Sequence, residues 1–285
     1  MKEPHWVVGT ARSEVSQRLL ADPRWELAPV KDPATAAADL PRAARATMSF
    51  FASSEGFQKS VKLTTDLIAR GHPVTPHLPA RSIRDRHHLA DLLEVLKNAG
   101  VTDIFVVAGN SSKTAGPYDG AIDILQEVRA AGFRAGVAAY PEGHAYLSSE
   151  QAMSLLVRKQ EYASYLVTQT CFDAATVRDW LRQARAAGVR LPAYLGIAGV
   201  VQRKELLRMA AWMGVGNSVK FVNKQRKLAA RLVGPGAYDP SVLMDEVIQV
   251  QTEEDLGIEG IHLNTFNQVA STRAWWDAYT TRRTG

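Results

Sequence analysis

Short apolar runs of β character alternate with stretches of helical periodicity along almost the whole chain. The runs are WELAPV (25–30), ATMSFFA (46–52), PVTPHLP (73–79), TDIFVVAG (102–109), FRAGVAAY (133–140), SYLVTQ (164–169), LPAYLGI (191–197) and GIHLNTF (260–266). IFVVAG, within the fourth, is continuously apolar, as strands covered on both faces are. Between the third and fourth runs, RHHLADLLEVLKNAG (86–100) sets Leu89, Leu92, Leu93 and Leu96 at i, i+3, i+4 and i+7. That is the stripe of an amphipathic helix, with Gly100 as its stop. The same helix-then-glycine punctuation recurs at DLIARG (66–71), EVRAAG (127–132) and RQARAAG (182–188). A helix is also expected at about 11–20, and extra helices at roughly 217–256, before the last strand.

Eight strands separated by helices predict an α/β protein, a (β/α)8 TIM barrel, and 285 residues is a typical length for one. An open doubly wound sheet is the alternative, but its Gly-rich dinucleotide fingerprint is absent. No Pro/Ser-rich linker divides the chain, so residues 1–285 are expected to form one domain.

Composition narrows the class. Hydrophobic residues make up 46% of the chain, which argues against disorder, and no apolar run is long enough to span a bilayer. The first residues, MKEPHWVVGTARSE, lack an apolar signal core, so a cytoplasmic enzyme is expected. The single Cys171 excludes an intramolecular disulfide framework. Net charge is +5, which raises nucleic acid as a partner, yet the basic residues are scattered among acids. Only VKFVNKQRKLAARLV (219–233) is locally basic, and its apolar face reads as a solvated amphipathic helix. Neither nucleic acid nor membrane is expected as a partner. The seven histidines form no HxH or HExxH, so no metal site is expected.

A barrel of this kind carries its chemistry at the C-terminal ends of the strands. The polar residues there are Glu26, Ser49 with Glu55, His77, Asn110, Tyr140 with Glu142 and His144, Gln169, and His262 with Asn264. Glu26 reads in two ways. Pointing into the barrel mouth, it would have its pKa raised by desolvation, as a general acid needs; paired with Lys31 or an arginine, it would be structural. Glu55 could equally cap the following helix, and His77 could be a hydrogen-bonded core residue. Gln169 offers a donor and an acceptor side by side, suited to a pterin or amide edge, or it satisfies loop backbone. Asp173 is placed to N-cap the next helix. Cys171 reads as packing, and His87 and His88 as residues of a helix's first turn. AGNSSKTAGPY (108–118) lacks P-loop spacing and reads as a flexible loop.

Taken together, four stretches resemble the methylenetetrahydrofolate reductase family. GVAAYPEGH (136–144) looks like its strand-five signature, and VTQTCFD (167–173) is similar to its Thr-Gln-x-x-Phe-Asp segment. TPHLPAR (75–81) looks like its Pro-His strand three, and GIHLNTFNQVASTRAWW (260–276) like its closing His-x-x-Thr-x-Asn strand. The four lie in order on four different strands. The resemblance implies a (β/α)8 barrel that reduces 5,10-methylenetetrahydrofolate to 5-methyltetrahydrofolate with NADH or NADPH. It implies Glu26 as catalytic acid and Gln169, with Asn110 and Phe172 beside it, as folate contacts. It further implies that Ser49, His77, Gly109, Tyr118, Tyr140, His144 and Lys159 help to hold FAD in flavin-containing members.

Two departures bear on that cofactor. The family's usual first strand, Phe-Glu-Phe-Phe-Pro-Pro, is WELAPVK here, and its strand-four Arg-Gly-Asp ending is Ala108-Gly109-Asn110. The second change removes a cation for flavin phosphates and a carboxylate near flavin and pterin. It fits a flavin-free branch of the family, in which hydride passes directly from nicotinamide and Glu55 supplies the missing carboxylate. The rival readings are a folate-dependent methyl-transfer or demethylating enzyme on the same barrel, and an inert folate- or flavin-binding homologue.

Overall fold

The computed structural model describes residues 5–28, 33–50, 54–109, 111–144, 146–206 and 236–284. Helix α1 (His5–Leu20) precedes β1 (Arg24–Leu27), α2 (Pro33–Ala38), β2 (Arg45–Met48), α3 (Ser54–Ala69) and β3 (Val74–Pro79). Then follow α4 (Arg86–Asn98), β4 (Asp103–Val107), α5 (Ile122–Ala130), β5 (Arg134–Ala139), α6 (Ser149–Lys159) and β6 (Tyr165–Thr168). Helix α7 (Ala174–Ala186), β7 (Ala193–Ala198), α8 (Ser241–Glu253), β8 (Ile258–Asn264) and α9 (Val269–Thr284) complete the order.

The strands form a closed barrel in sequence order, all pairs parallel. Strand β8 closes on β1 through Arg24↔His262 and Glu26↔Asn264. All eight expected runs therefore supply strands, and the α/β TIM-barrel reading holds. Helix α1 starts earlier than its pattern predicts, and α2 was not expected. Of the extra helices expected at 217–256, α8 is described; VKFVNKQRKLAARLV lies outside the described residues.

Local chemistry explains these limits. The Asp85 side chain accepts from the His88 amide at the start of α4, Ser148 and Gln151 form a reciprocal capping box on α6, and Asp173 caps α7. The expected stops Gly71, Gly100, Gly132 and Gly188 all have φ between 87° and 93°, a left-handed conformation that favours glycine. Leu89, Leu92, Leu93 and Leu96 are buried between α4 and the sheet, in a core that also takes in α1, α8 and α9. Among the described residues no helix is long and apolar enough to cross a membrane.

The barrel interior is unusually polar. Partners in a parallel ladder share a face, so Arg24, Glu26, Thr47, Thr75, His77, Phe105, Tyr165, Tyr194, His262 and Asn264 all project inwards. At its base the Arg24 guanidinium lies between the rings of Tyr165 and Tyr194, 4.2 and 4.1 Å from their centroids. Its Nη1 donates to the Tyr165 hydroxyl at 2.9 Å, which donates to Asp103 at 2.8 Å. Glycine at 136 is required here, because a Cβ would collide with the Tyr165 ring. Buried cation, ring and carboxylate thus fill the floor on which the upper layer rests.

Candidate functional site

Four of the polar strand-end residues converge. Glu26 is the penultimate residue of β1, with its side chain turned into the barrel. Ser49 Oγ donates to its Oε1 at 2.6 Å, and His262 Nε2 lies 3.0 Å from its Oε2. Ser49 Oγ is in turn 3.2 Å from His77 Nδ1. Since the Ser49 proton goes to the carboxylate, the network assigns the Nδ1 proton of His77 as the donor to Ser49. The His77 ring packs edge-on against Phe105, with centroids 4.8 Å apart.

This environment corrects the electrostatic expectation for Glu26. Burial does push its pKa upwards, but the hydrogen bond from His262, the charges of His77 and His262, and the Ser49 bond together outweigh it. The carboxyl is lowered to about 2. Its ion-pair partner is a histidine of β8 rather than an arginine, and Lys31 lies outside the described residues. Burial lowers His77 to about 4 against the opposing charge of Glu26, so its ring is neutral at pH 7.

The loop after β8 fixes the end of β1. Thr265 Oγ1 donates to the Glu26 carbonyl at 2.6 Å. Asn267 Oδ1 accepts from the Ala28 amide at 2.9 Å, and its Nδ2 donates to the Ala28 carbonyl at 2.7 Å. Phe266 and Asn267 both have positive φ, which folds this loop back over the strand end.

A cavity of about 580 Å³ lies on the other side of the barrel mouth, at the ends of β4 and β5. Gly109, Tyr140, His144 and Lys159 line it, together with Arg81 and Tyr146. Tyr140 and His144 meet edge-on at 4.5 Å. His144 Nδ1 accepts from the Tyr146 and Leu147 amides, each at 3.1 Å. Burial, then the charge of Lys159, lowers the His144 pKa, and burial lowers that of Lys159. Arg81 is already committed to the carbonyls of Asp119 and Ser111, at 2.9 and 3.1 Å. Lys159 makes no ion pair among the described residues.

Seven residues read as flavin contacts therefore separate. Gly109, Tyr140, His144 and Lys159 share the cavity, Ser49 and His77 hold Glu26, and half-buried Tyr118 packs against the core. Within YPEGH, Glu142 is a brace: its Oε1 accepts from the amides of Phe172 and Asp173, at 2.7 and 3.0 Å. Gln169 is half-buried at the end of β6, with its backbone amide bonded to the Ala139 carbonyl at 2.9 Å. Phe172 is buried edge-on against Tyr238, 5.7 Å between centroids. Cys171 is fully buried, and burial raises its thiol pKa, in keeping with packing. Asn110 lies outside the described residues; Glu55 falls in the first turn of α3, with its side chain outside them.

Sequence reasoning placed His262 at a strand end, Thr265 and Asn267 in the closing His-x-x-Thr-x-Asn motif and Arg81 at the end of TPHLPAR, but gave none of them a role. The signal for His262, Thr265 and Asn267 was present in GIHLNTFN, where residues with side-chain hydrogen-bonding groups cluster at the end of a buried strand and just beyond it. Nothing in the spacing said that they reach across to β1.

A family model described as methylenetetrahydrofolate reductase matches residues 45–278. Methylenetetrahydrofolate reductase 1 of Schizosaccharomyces pombe is 34% identical over 85 residues, which is 29% of this chain and 14% of that protein. Methylenetetrahydrofolate reductase 2 of Saccharomyces cerevisiae is 27% identical over 169 residues, 53% of this chain and 28% of that protein. The matches thus span less than a third of the length of these curated relatives. Among solved structures, a GH18 chitinase of Flavobacterium johnsoniae superposes with a TM-score of 0.52 at 8% identity, over 92% of this chain and 94% of that one. At that identity the likeness is one of fold.

Proposed function

We propose, given that the chain belongs to the methylenetetrahydrofolate reductase family, that it reduces 5,10-methylenetetrahydrofolate to 5-methyltetrahydrofolate with NADH or NADPH. The observation that carries this reading is Glu26, half-buried at the mouth of the barrel with both oxygens held and its carboxyl ionised. Reduction requires the methylene bridge to open to an iminium cation, and an ionised, immobilised carboxylate stabilises such a cation in a site of low dielectric.

The residues around the cavity fit a dinucleotide. Lys159 offers a cation for its pyrophosphate, Tyr140 an aromatic face, and Gly109 a wall without a side chain. FAD and the nicotinamide dinucleotides share that chemistry. Two features favour the nicotinamide entering directly: Ser49 and His77 are engaged with Glu26, and Ala108 and Gly109 bring no charge to the end of β4. The bound dinucleotide supplies hydride to the iminium carbon.

The protein's own residues do the rest. Glu26 delivers a proton to the nitrogen that leaves the bridge and then faces the cation as a carboxylate. The Gln169 amide supplies a donor and an acceptor for the pterin edge, with Phe172 beside it, and the family resemblance assigns Asn110 as a further folate contact. Glu55 adds a second carboxylate from α3.

The test is anaerobic oxidation of NADH and NADPH by the purified protein with methylenetetrahydrofolate, with and without added FAD. Formation of 5-methyltetrahydrofolate without FAD supports direct transfer. Activity only with FAD, or a yellow purified protein, assigns the cavity to the flavin. Folate binding with no nicotinamide oxidised in any arm overturns the reductase reading in favour of an inert or methyl-transferring homologue.

A further inference from the structure

An acid at the head of this reaction must hold a proton, yet Glu26 is set up to be ionised. We propose that His262 holds the proton that Glu26 delivers, so that the two act as one proton-carrying pair. The identity of the acceptor rests on the reductase reading; the pairing rests on geometry alone.

The geometry singles out one oxygen. Oε1 of Glu26 receives the Ser49 proton at 2.6 Å, and Ser49 is itself held by His77, so a proton arriving on Oε1 would compete with the Ser49 hydrogen bond. Oε2 faces His262 Nε2 at 3.0 Å, and a proton can pass between these atoms with no heavy-atom rearrangement. His77 cannot do the same work, because its Nδ1 proton is committed to Ser49.

His262 is enclosed within the barrel. The residue is 3% exposed, and among the described residues its Nδ1 has no hydrogen-bond partner. The titratable and charged groups around it inside the barrel are Glu26 and Arg24 on β1, His77 on β3, Asp103 on β4, Tyr165 on β6 and Tyr194 on β7. Arg24 is balanced by Asp103, 3.5 Å away, which leaves Glu26 as the carboxylate that compensates a protonated His262.

The step balances. The pair begins as carboxylate and imidazolium. The Nε2 proton moves to Oε2 and on to the folate nitrogen, whose bond to the methylene carbon breaks with the electron pair passing to that nitrogen. Carboxylate, neutral imidazole and iminium cation remain. Hydride from the reduced nicotinamide converts the iminium to a methyl group, and one proton from water recharges His262 after product leaves.

Two variants test this. His262→Phe removes both the proton and the hydrogen bond; His262→Gln keeps an N–H donor for Oε2 but cannot release a proton. Single-turnover reduction at pH 7 is expected to fall at least ~100-fold in both, while folate affinity changes far less. On this proposal the parent's rate should fall with rising pH, and that dependence should vanish in both variants. A His262→Gln enzyme with the parent's rate and pH profile would show that His262 only positions Glu26, and would overturn the proposal. A second readout needs no activity. Infrared spectra, with the Glu26→Gln protein subtracted, should show no protonated Glu26 in the parent at pH 4 to 7 and a protonated Glu26 within that range in His262→Phe. Absence of the acid band in His262→Phe would overturn the pairing even if the protein proved not to reduce folate.

Discussion

Asn267 brackets Ala28: its side-chain oxygen accepts from the Ala28 amide at 2.9 Å while its nitrogen donates to the Ala28 carbonyl at 2.7 Å. One amide thus extends the β1–β8 pairing beyond the last backbone partners and sets the strand end that carries Glu26. Asn267→Ala removes both bonds and puts alanine at φ 60°, where asparagine is better tolerated. Thermal or denaturant unfolding should show a loss of about 2 kcal/mol or more. Turnover should fall ~10-fold, with a smaller change in KM, because the acid is displaced rather than the pockets. Asn267→Asp, which keeps the acceptor, should lie between the two; an Ala variant as active as the parent would show that the bracket does not position Glu26.

Glu26 carries the charge at the centre of the site, so Glu26→Gln should reduce single-turnover reduction by ~100-fold or more. Equilibrium folate binding should survive, since Gln preserves volume and can still accept from Ser49. Loss of binding in parallel with turnover would indicate a structural role instead.

The pH dependence of stability follows from two groups. His77 has a folded pKa lowered from 6.5 to about 4, so below pH 6.5 the unfolded chain takes up a proton that the native state refuses. Stability is therefore lost as pH falls from about 6.5 towards 4. Glu26, lowered from 4.5 to about 2, stabilises the native state above its unfolded pKa and loses that contribution as pH falls from about 4.5 towards 2. Each limb is on the order of 3 kcal/mol. Melting curves against pH should show both: His77→Asn should flatten the upper one and Glu26→Gln the lower. A parent melting temperature constant between pH 6.5 and 4 would contradict the buried neutral imidazole.

Much of the frame was legible because it is written in local patterns. The double-sided burial of IFVVAG, the leucine stripe of α4 and the stop at Gly100 each depend on neighbours within a few residues. The gathering of Glu26, Ser49 and His77 was legible as far as topology goes, since the ends of parallel strands must meet at one mouth. What they do to one another was not. The pKa of Glu26 depends on His262, 236 positions along the chain, and on whether a hydrogen bond or desolvation prevails. Burial alone predicts the wrong direction. Nor could spacing separate Ser49 and His77 from the cavity residues Tyr140 and His144, because motif order records the strand and not the side of the barrel that a side chain serves.

Glu142 shows how a loop residue can act through another loop. Its Oε1 receives the amides of Phe172 and Asp173, joining the turn after β5 to the start of α7. Glu142→Ala leaves those amides without this acceptor and should cost about 1–3 kcal/mol in chemical denaturation. Because Phe172 follows Gln169 so closely, the functional damage should appear as weaker folate binding rather than weaker dinucleotide binding. Calorimetric titration with each ligand separates the two, and an equal loss in both would refute a local brace.

Lys159 brings a cation to the cavity, beside Arg81. It sits at the last residue of α6, half-buried, and burial has already lowered its pKa, so an anion arriving beside it relieves a cation that makes no ion pair among the described residues. Arg81 is anchored by the Asp119 and Ser111 carbonyls, which hold its Nε and Nη1. Lys159→Met keeps the aliphatic stem and removes only the charge. Dinucleotide affinity, followed by fluorescence quenching or calorimetry, should fall ~10-fold, and its dependence on salt should weaken. KM for the dinucleotide should rise with it, while kcat falls much less, because the lysine holds the phosphates and not the reacting carbon. A variant that binds dinucleotide as the parent does, at low and high salt alike, would place the pyrophosphate elsewhere and remove the cavity from the proposed site.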